Sequence, residues 1–372
     1  MTCDYLIVGA GLFGSVLAER IASERSAHVV LLDRRPHIGG NCWSEIDPET
    51  GIEYHRYGSH IFHTDSRRAW EYLNRFTTFN DYRHRVETRH GDRTFPLPIN
   101  LDTINAFYGR TFTPTEAESF LTREAAREAV AEPANFEEQA ISLIGRPLYE
   151  ALLRGYTRKQ WNREPRELSA AIMARLPVRF DHDRNYFQNS RWQGIPREGY
   201  GRLFARMLAA DNIDIVLDCD WFEHRHEFHP RCQTIYTGPI DRYFDCIDGR
   251  LDWRSVRFER EVMARDDFQG ISVMNYADVE VPFTRIHEPK HLHPERDYKP
   301  GHTVIFREFP HADRDEPYYP VDTQRNRELL RRYRARAANE KVIFGGRLGD
   351  YAYYDMDRTI CAALQLFEER IA

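Results

Sequence analysis

Apolar runs and one helical pattern organise the start of the chain. The run YLIV at residues 5–8 ends in GAGLFG, after which Val16, Leu17 and Ile21 recur at helical spacing. The run HVVLLD, which ends at Asp33, indicates a second buried strand. These patterns predict a strand, a helix and a second strand, as at the beginning of a parallel sheet covered by helices.

Helical patterning replaces these runs in the middle of the chain. The sequence TPTE at 113–116 has a threonine N-cap, a proline at the first helical position and the glutamate of a capping box. NFEE at 135–138 repeats this N-terminal capping pattern with Asn135 and Glu138, and Gly145 is predicted to end that helix. Apolar residues at helical spacing continue as far as Pro177. We therefore expect a helical insertion over about 100–177.

Strand patterns return from residue 178 to about residue 320. Alternating runs separated by glycine, proline and charged turns are typical of an antiparallel sheet with one exposed face. The run KVIFGG and a helix over 356–371 then lead back to the first unit. The predicted fold class is α/β, with a discontinuous Rossmann-like domain, an inserted helical domain and an antiparallel sheet domain. Their boundaries are 1–80, 193–240 and 321–372 for the first, 98–178 for the second, and 81–97, 179–192 and 241–320 for the third.

Composition narrows the class of protein. Six cysteines without a C-x-x-C pair argue against disulfides and zinc, and favour a reducing cytoplasm. The N-terminus lacks a signal peptide pattern, and no run approaches the ~18 apolar residues of a membrane span. A net charge of -6 argues against nucleic acid, whereas 52 lysines and arginines, nearly all arginine, allow phosphate-binding pockets. The 13% aromatic residues suit a site that stacks rings or sugars, or a larger aromatic core.

The glycine pattern points to a dinucleotide. Gly9, Gly11 and Gly14 follow a strand and begin a helix, and Asp33 follows Gly14 by 19 residues. Glycines allow the backbone to approach a pyrophosphate, and the acid can bind a ribose. A second glycine pair in RRPHIGGN, residues 34–41, resembles the second glycine element of amine-oxidase-like flavoproteins, so FAD outranks NAD.

Longer motifs carry a more specific resemblance. GAGLFG, HIGGN, YGSHIFHT, GYTRKQW, YTGPID, VPFTRI, DEPYYPV and VIFGGRLGDYAYYDM occur in this order along the chain. Together they resemble the bacterial-type UDP-galactopyranose mutases over essentially the whole sequence. The resemblance implies a three-part flavoenzyme, with an FAD-binding Rossmann-like domain, a helical domain that carries a mobile loop, and a sheet domain.

The resemblance also implies an isomerase. Members of this family interconvert UDP-galactopyranose and UDP-galactofuranose by attack of reduced flavin N5 on the anomeric carbon, formation of an iminium and ring contraction. The expected cofactor is FAD as FADH-, reduced by an external reductant such as NAD(P)H. We also expect a UDP-sugar substrate, a cytoplasmic homodimer without a membrane segment, and a role in supplying galactofuranose for cell wall or other polysaccharide.

Site residues are transferred from the family motifs position by position. The expected catalytic residues are Arg175, Arg285, His60 and Asp355. The expected substrate-binding residues are Tyr156, Trp161, Arg175, Tyr186, Arg254, Arg285, Tyr319 and Tyr353. The expected cofactor-binding residues are Gly9, Gly11, Leu12, Phe13, Gly14, Asp33, Arg34, Gly39, Gly40, Asn41, His60, Ile61, Gly346, Arg347, Asp355 and Met356.

Some assignments have alternatives. Arg179 competes with Arg175 for the same phosphate-binding role, and Asp355 could act in the site, cap the final helix, or do both. No Ser-His-Asp arrangement is apparent, and the implied chemistry does not require one. The residues Cys42, Trp43 and Asn162 depart from the commoner family pattern.

Because of these departures, the sequence does not decide which nucleotide sugar is the substrate. The sugar is galactose, its N-acetylated form or a 6-deoxy sugar, and the nucleotide is UDP or dTDP. Two further classes compete with a mutase. An FAD-dependent oxidase would share the first domain but would not need paired phosphate-binding arginines. A sensor that kept the fold would bind the nucleotide sugar without turnover.

The histidine-rich stretch HRYGSHIFHT, residues 55–64, raises the question of a metal. A third ligand is missing, and we predict no metal. The resemblance places His60 beside the flavin and His63 behind it, where it can respond to the flavin redox state. His55 is expected to be exposed, and Arg56 and Ser59 are the first positions to examine for sugar specificity.

Overall fold

A computed structural model describes residues 1–175, 177–311 and 316–372, with the side chains of residues 174 and 175 excluded. Over these residues the strands form a five-stranded parallel sheet, a seven-stranded mixed sheet and two short two-stranded ribbons. The parallel sheet has the spatial order Val342–Phe344, His229–Tyr236, Thr2–Val8, Val29–Leu32 and Ile213–Val216. The predicted strand-helix-strand beginning is confirmed, with its helix at Leu12–Arg25.

The parallel sheet is buried on both faces. Ile7, Val29 and Leu31 are fully buried, and they pack with Val16 and Leu17 of the first helix. The final helix, Met356–Arg370, packs against the first helix and adds Ile360, Ala363 and Leu364 to the same core. The C-terminus of the chain therefore completes the unit that its N-terminus begins.

The mixed sheet packs against the helical segment. Its spatial order is Tyr319–Pro320, Trp253–Met263, Thr303–His311, Arg285–His287, Val273–Tyr276, Val86–His90 and Arg93–Leu97. Neighbouring strands run antiparallel, except that Val273–Tyr276 pairs parallel with Val86–His90. The ribbons are Ser44–Ile46 with Glu53–His55, and Phe62–Thr64 with Trp192–Gly194.

Helices dominate residues 101–175. They span Leu101–Tyr108, Pro114–Ala126, Phe136–Leu148, a π-helical stretch at Tyr149–Arg154, Gly155–Trp161, and 3-10 turns at Pro165–Glu167 and Ala170–Arg175. The capping box at Thr113 is confirmed. The prediction that Gly145 ends its helix is confirmed, because Gly145 (φ 73, ψ 159) is non-helical and separates two helical segments across a kink within Phe136–Leu148.

The remaining helices connect the strands of both sheets. They are Arg67–Leu73, Gly199–Met207, Trp221–His224, Ile240–Tyr243, Gln324–Ala337 and Gly346–Gly349, with 3-10 turns at Gly40–Cys42, Arg225–Glu227 and Pro289–Leu292. In the described part of the chain, no helix has the length and apolar character required to cross a bilayer.

Candidate active site

Two glycine segments form the floor of a cavity at the carboxyl edge of the parallel sheet. Gly11 begins the helix Leu12–Arg25 and has no side chain to cap its N–H groups. A β-carbon on Gly14 would lie 2.0 Å from the Gly9 carbonyl oxygen, and one on Gly40 would lie 2.8 Å from the Gly11 Cα. The bare backbone and the free helix N-terminus suit the pyrophosphate of a dinucleotide.

The cavity has a volume of about 410 Å³. Most of the residues expected at the cofactor line it, namely Gly9, Gly11, Leu12, Phe13, Gly14, Asp33, Arg34, Gly39, Gly40, Asn41, His60, Gly346, Arg347 and Met356. The two others lie elsewhere: Ile61 packs in the core beneath the parallel sheet, and Asp355 lies close to His63.

Asp33 is held at the end of its strand. One carboxylate oxygen accepts from the Ala10 N–H at 2.8 Å and the other from the Arg35 N–H at 2.9 Å. The Arg35 guanidinium donates to Asn41 Oδ1 at 2.9 Å and lies 4.2 Å from the centre of the Tyr57 ring. The strand end, the second glycine segment and the loop after residue 55 are thus joined around the cavity mouth.

Several lining residues were not expected from the sequence. They follow the strands Ile213–Val216 and His229–Tyr236, and they are Cys219, Asp220, Trp221, Phe222, Thr237, Gly238, Pro239 and Arg242. The carboxyl ends of parallel strands meet at one edge of the sheet, where ligands bind. The motif YTGPID, directly after a buried strand, was the available signal for Thr237, Gly238 and Pro239.

His60 lines the cavity, and His55 supports it from behind. The His60 N–H donates to His55 Nδ1 at 2.9 Å, and His60 Nδ1 lies 2.7 Å from the Gly58 carbonyl oxygen. Burial and the nearby Arg347 lower the pKa of His60 to about 4, so its ring is neutral near pH 7. The expectation that His55 is exposed is wrong, because it is only 7% exposed and packs edge-on against Tyr200.

His63 is not among the residues that line the cavity. Its ring stacks on Phe187 at 3.6 Å, and its Nδ1 lies 3.0 Å from Ser190 Oγ. Burial lowers the pKa of His63, and Asp355 and Asp357 oppose that shift. Asp355 precedes the final helix, but its side chain makes no capping hydrogen bond there, so the capping alternative is not observed.

The histidines of residues 55–64 do not converge on one point. In the described residues, the one group of side chains close enough to share an ion consists of Asp267, Glu288 and His291. Glu288 already accepts hydrogen bonds from the backbone of Phe268 and from Thr303 Oγ1. This cluster contains none of the histidines that raised the question of a metal.

A second group of side chains surrounds Arg285. Arg285 pairs directly with Glu308 across two antiparallel strands, and its Nη1 lies 3.3 Å from Glu308 Oε1. Glu308 is 2% exposed. Arg285, followed by His287 and Thr284, lowers the pKa of this carboxyl to about 2. The carboxylate is therefore ionised near pH 7 and holds the arginine in place.

Four tyrosines extend this group toward the cavity. The Arg285 guanidinium lies 5.6 Å from the centre of the Tyr156 ring, and Tyr186 and Tyr319 are close enough to affect the Tyr156 pKa. Tyr319 stacks on Tyr353 at 5.8 Å. The Tyr156 hydroxyl is buried and has no hydrogen-bond partner within the described part of the chain. A buried unpaired hydroxyl favours a site that is completed by a ligand.

Arg347 connects the two groups. It lines the dinucleotide cavity, and its guanidinium lies 5.4 Å from the centre of the Tyr353 ring. It also donates to the Tyr318 carbonyl oxygen at 3.3 Å. The cavity and the arginine and tyrosine group therefore adjoin one another.

The remaining expected residues lie at the edge of this group. Arg254 is buried and donates through Nε to the Gln160 carbonyl oxygen at 3.0 Å, directly before the half-buried Trp161. The side chain of Arg175 lies outside the described residues. Its competitor Arg179 is buried and donates to the Asn185 carbonyl oxygen at 2.7 Å.

A serine, a histidine and a carboxylate do form a hydrogen-bonded chain, which the sequence did not reveal. Ser59 Oγ lies 2.8 Å from His287 Nδ1, and His287 Nε2 lies 2.9 Å from Glu308 Oε2. His287 and Arg285 are two residues apart on one strand and so share a face. The chain joins the loop beside the cavity to the acid that holds Arg285.

The fold and the glycine-lined cavity define a Rossmann-like dinucleotide-binding protein. A family model for the NAD(P)-binding Rossmann-like domain matches residues 7–76, and one for UDP-galactopyranose mutase matches residues 151–353. The crystal structure of a reduced UDP-galactopyranose mutase has a TM-score of 0.76 at 16% identity, over 99% of this chain and 93% of that chain. A putative protoporphyrinogen oxidase from Exiguobacterium has a TM-score of 0.63 at 13% identity, over 98% and 97% of the two chains. Both structures share the fold.

Relatives with higher identity define the family. A probable UDP-galactopyranose mutase of Klebsiella pneumoniae is 42% identical over 369 residues, which are 98% of this chain and 94% of that protein. A dTDP-fucopyranose mutase of Escherichia coli is 38% identical over 367 residues, 97% of this chain and 96% of that protein. The chain belongs to the UDP-galactopyranose mutase family, which confirms the resemblance drawn from its motifs.

Proposed function

We propose that this chain is a mutase that interconverts UDP-galactopyranose and UDP-galactofuranose. One observation carries the proposal: Arg347 belongs both to the dinucleotide cavity and to the tyrosine group that surrounds Arg285. A cofactor in the cavity and a nucleotide sugar beside Arg285 would therefore be neighbours. Family membership and the Klebsiella pneumoniae relative support the same reaction.

FAD is the cofactor that we propose for the cavity. The close glycine backbones and the open helix N-terminus suit its pyrophosphate, and Trp221 and Phe222 offer aromatic surface at the far edge. Reduced flavin supplies a nucleophile for the anomeric carbon of the sugar. Arg347 is one of several arginines in the cavity wall, and it lies beside the tyrosine group, where its charge would stabilise an anionic reduced cofactor.

Arg285 is proposed to bind the diphosphate of the substrate. Its guanidinium can bind phosphate oxygens in a bidentate manner, and Glu308 fixes its orientation from the buried side. The hydroxyls of Tyr156, Tyr186 and Tyr319 would donate hydrogen bonds at the same place. Positive charge at this position also stabilises UDP as a leaving group when the bond to the sugar breaks.

The remaining predictions concern residues and properties with less support. Catalytic roles for His60, Asp355 and Arg175, and substrate contacts from Trp161, Arg254 and Tyr353, rest on the family motifs. FADH- as the active form, NAD(P)H as its reductant, a homodimer, a cytoplasmic location and a supply of galactofuranose for polysaccharide also stay predictions.

A second substrate is favoured by one observation. The dTDP-fucopyranose mutase of Escherichia coli is 38% identical to this chain, close to the 42% of the Klebsiella pneumoniae relative. The same reaction on a dTDP-6-deoxyhexose is therefore the alternative. Two of the residues that depart from the commoner family pattern, Cys42 and Trp43, lie at the second glycine segment of the cavity. There the Trp43 ring stacks on the His37 ring, with their centres 5.2 Å apart.

Turnover by the flavin-loaded protein tests the proposal. The protein is reduced with dithionite and incubated separately with UDP-galactofuranose and dTDP-fucofuranose, and the six-membered ring products are measured by chromatography. We expect turnover of the UDP-sugar in the reduced state alone. Faster turnover of the dTDP-sugar would select the alternative, and inactivity on both in either redox state would reject a mutase.

Replacement of Arg285 by alanine tests the proposed phosphate site. Arg285→Ala should lower kcat/KM by ~100-fold or more and leave the flavin absorbance of the purified protein unchanged. Arg307→Ala is the matched control, because Arg307 lies on the adjacent strand and pairs with Glu261. Equal activity of the two variants would show that the diphosphate binds elsewhere.

A further inference from the structure

Lys159 occupies a nest of backbone carbonyl groups. Its Nζ lies 2.8 Å from the carbonyl oxygen of Tyr276, 2.7 Å from that of Asp278, 3.0 Å from that of Val281 and 2.9 Å from that of Phe283. These four residues belong to the turn that leads from the strand Val273–Tyr276 to the strand Arg285–His287. One ammonium group therefore contacts backbone carbonyl oxygens at both ends and in the middle of this turn.

The nest requires an ammonium group. An ammonium is a compact charge with three donors that can point in different directions, whereas a guanidinium is a flat fork. The chain contains four lysines and 48 arginines. Burial lowers the pKa of Lys159 to about 8, against the opposing effect of Asp278 and Glu280. The carbonyl oxygens thus replace much of the water that would otherwise surround this charge.

The helix Gly155–Trp161 packs closely on the same turn. A β-carbon on Gly155 would lie 2.3 Å from the Ala277 carbonyl oxygen, so only glycine allows this approach. Tyr156 is three residues before Lys159, and the two side chains share a helix face. The Tyr156 ring lies against Arg285, 5.6 Å from its guanidinium carbon. The face that fixes the turn therefore also contacts the arginine that follows the turn.

We propose that Lys159 is a positioning residue, which holds the 276–283 turn against the helix and so sets the position of Arg285 relative to Tyr156. The inference rests on the proposed function, in which Arg285 binds the diphosphate. The turn ends at Phe283, two residues before Arg285, and a turn that moves away from the helix carries the start of that strand with it. Without the ammonium, four partly buried carbonyl groups lose their donor, and the turn must shift to hydrate them.

Binding of UDP to the flavin-loaded, oxidised protein tests this role. Lys159→Met keeps the length of the side chain and removes the charge, and Lys159→Arg keeps the charge but changes its shape. We expect both variants to raise the Kd for UDP by about 10-fold or more, measured by titration calorimetry. The KM for the sugar nucleotide should rise with it, while kcat falls less. Lys299→Met, at an exposed lysine, should stay within about twofold of the wild type.

Every outcome of this experiment is decisive. Unchanged UDP affinity in Lys159→Arg, or in both variants, overturns the inference. If Lys159→Met does not retain flavin, Lys159→Arg decides the question. If neither variant retains flavin, Lys159 serves the stability of the fold and the positioning role is wrong. A wild-type protein that binds no UDP and converts no sugar nucleotide would reject the proposed function itself, which is a different result.

Discussion

The buried pair of Glu308 and Arg285 allows a prediction with a magnitude and a sign. The pKa of Glu308 is lowered from 4.5 to about 2, chiefly by Arg285. Each unit of difference between the folded and unfolded states corresponds to ~1.4 kcal/mol, so ionised Glu308 contributes about 3 kcal/mol to the free energy of unfolding at pH 7. Glu308→Gln has the size of the protonated acid and should lose this contribution.

The pH dependence follows from the direction of that pKa difference. A carboxyl with a lowered pKa stabilises the folded protein above its unfolded pKa, and this contribution is lost as the pH falls from 4.5 toward 2. The difference between the wild type and Glu308→Gln should therefore decrease to about 2 kcal/mol at pH 3.5. With ~2.1 cal/mol/K of unfolding entropy per residue, the variant should melt about 4 °C lower at pH 7.

Thermal unfolding of the flavin-loaded protein, followed at pH 7 and pH 3.5, provides the measurement. The separation of the two melting temperatures should be about 2 °C smaller at the lower pH. Glu261→Gln is the matched control, because it removes a half-exposed partner of Arg307 in the same sheet and should shift the melting temperature by less than about 1 °C. An equal separation at both pH values would refute the reasoning that the charge of Glu308 is what stabilises the fold.

Three further predictions test local features. Gly14→Ala should abolish flavin retention, measured by absorbance of the purified protein, because its β-carbon would lie 2.0 Å from the Gly9 carbonyl oxygen. Retained flavin would contradict the assignment of this cavity as the flavin site. Thr113→Ala should lower the free energy of unfolding by about 1 kcal/mol through loss of the helix cap, with Thr115→Ala, at an exposed position, as the control in denaturant titration. Asn162→Gly should leave thermal stability within about 1 °C, since Asn162 (φ 49) already adopts the left-handed conformation, whereas Asn162→Ala should cost about 1 kcal/mol.

Local signals in the sequence were reliable where a short segment contains its own physical cause. The glycines at 9–14 begin a helix after a strand, and the capping box at Thr113 starts the helix Pro114–Ala126, because the interacting groups are a few residues apart. Asn162 adopts the left-handed conformation that its residue type tolerates. Gly145 (φ 73) likewise ends the first helical segment of Phe136–Leu148, because glycine adopts a positive φ without steric cost.

Part of the candidate site could be predicted from the sequence. Tyr156, Tyr186, Arg285 and Tyr319 were named from motifs that lie far apart in the chain, and the structure brings them together. Other lining residues, such as Trp221, gave no clear signal by themselves. They reach the cavity because their strands join the parallel sheet in a particular order, and strand order is decided by contacts between distant segments.

By itself, the sequence determined the family, the dinucleotide motif and the elements that carry the main arginine and tyrosines. These depend on residue type and on spacing along the chain, which a sequence records directly. Only the tertiary structure decided that His55 is buried, that Ser59, His287 and Glu308 form one hydrogen-bonded chain, and that four carbonyl groups surround Lys159. The contacts of Ser59 with His287 and of Lys159 with Tyr276 join segments more than one hundred residues apart, and nothing local to either segment specifies its partner.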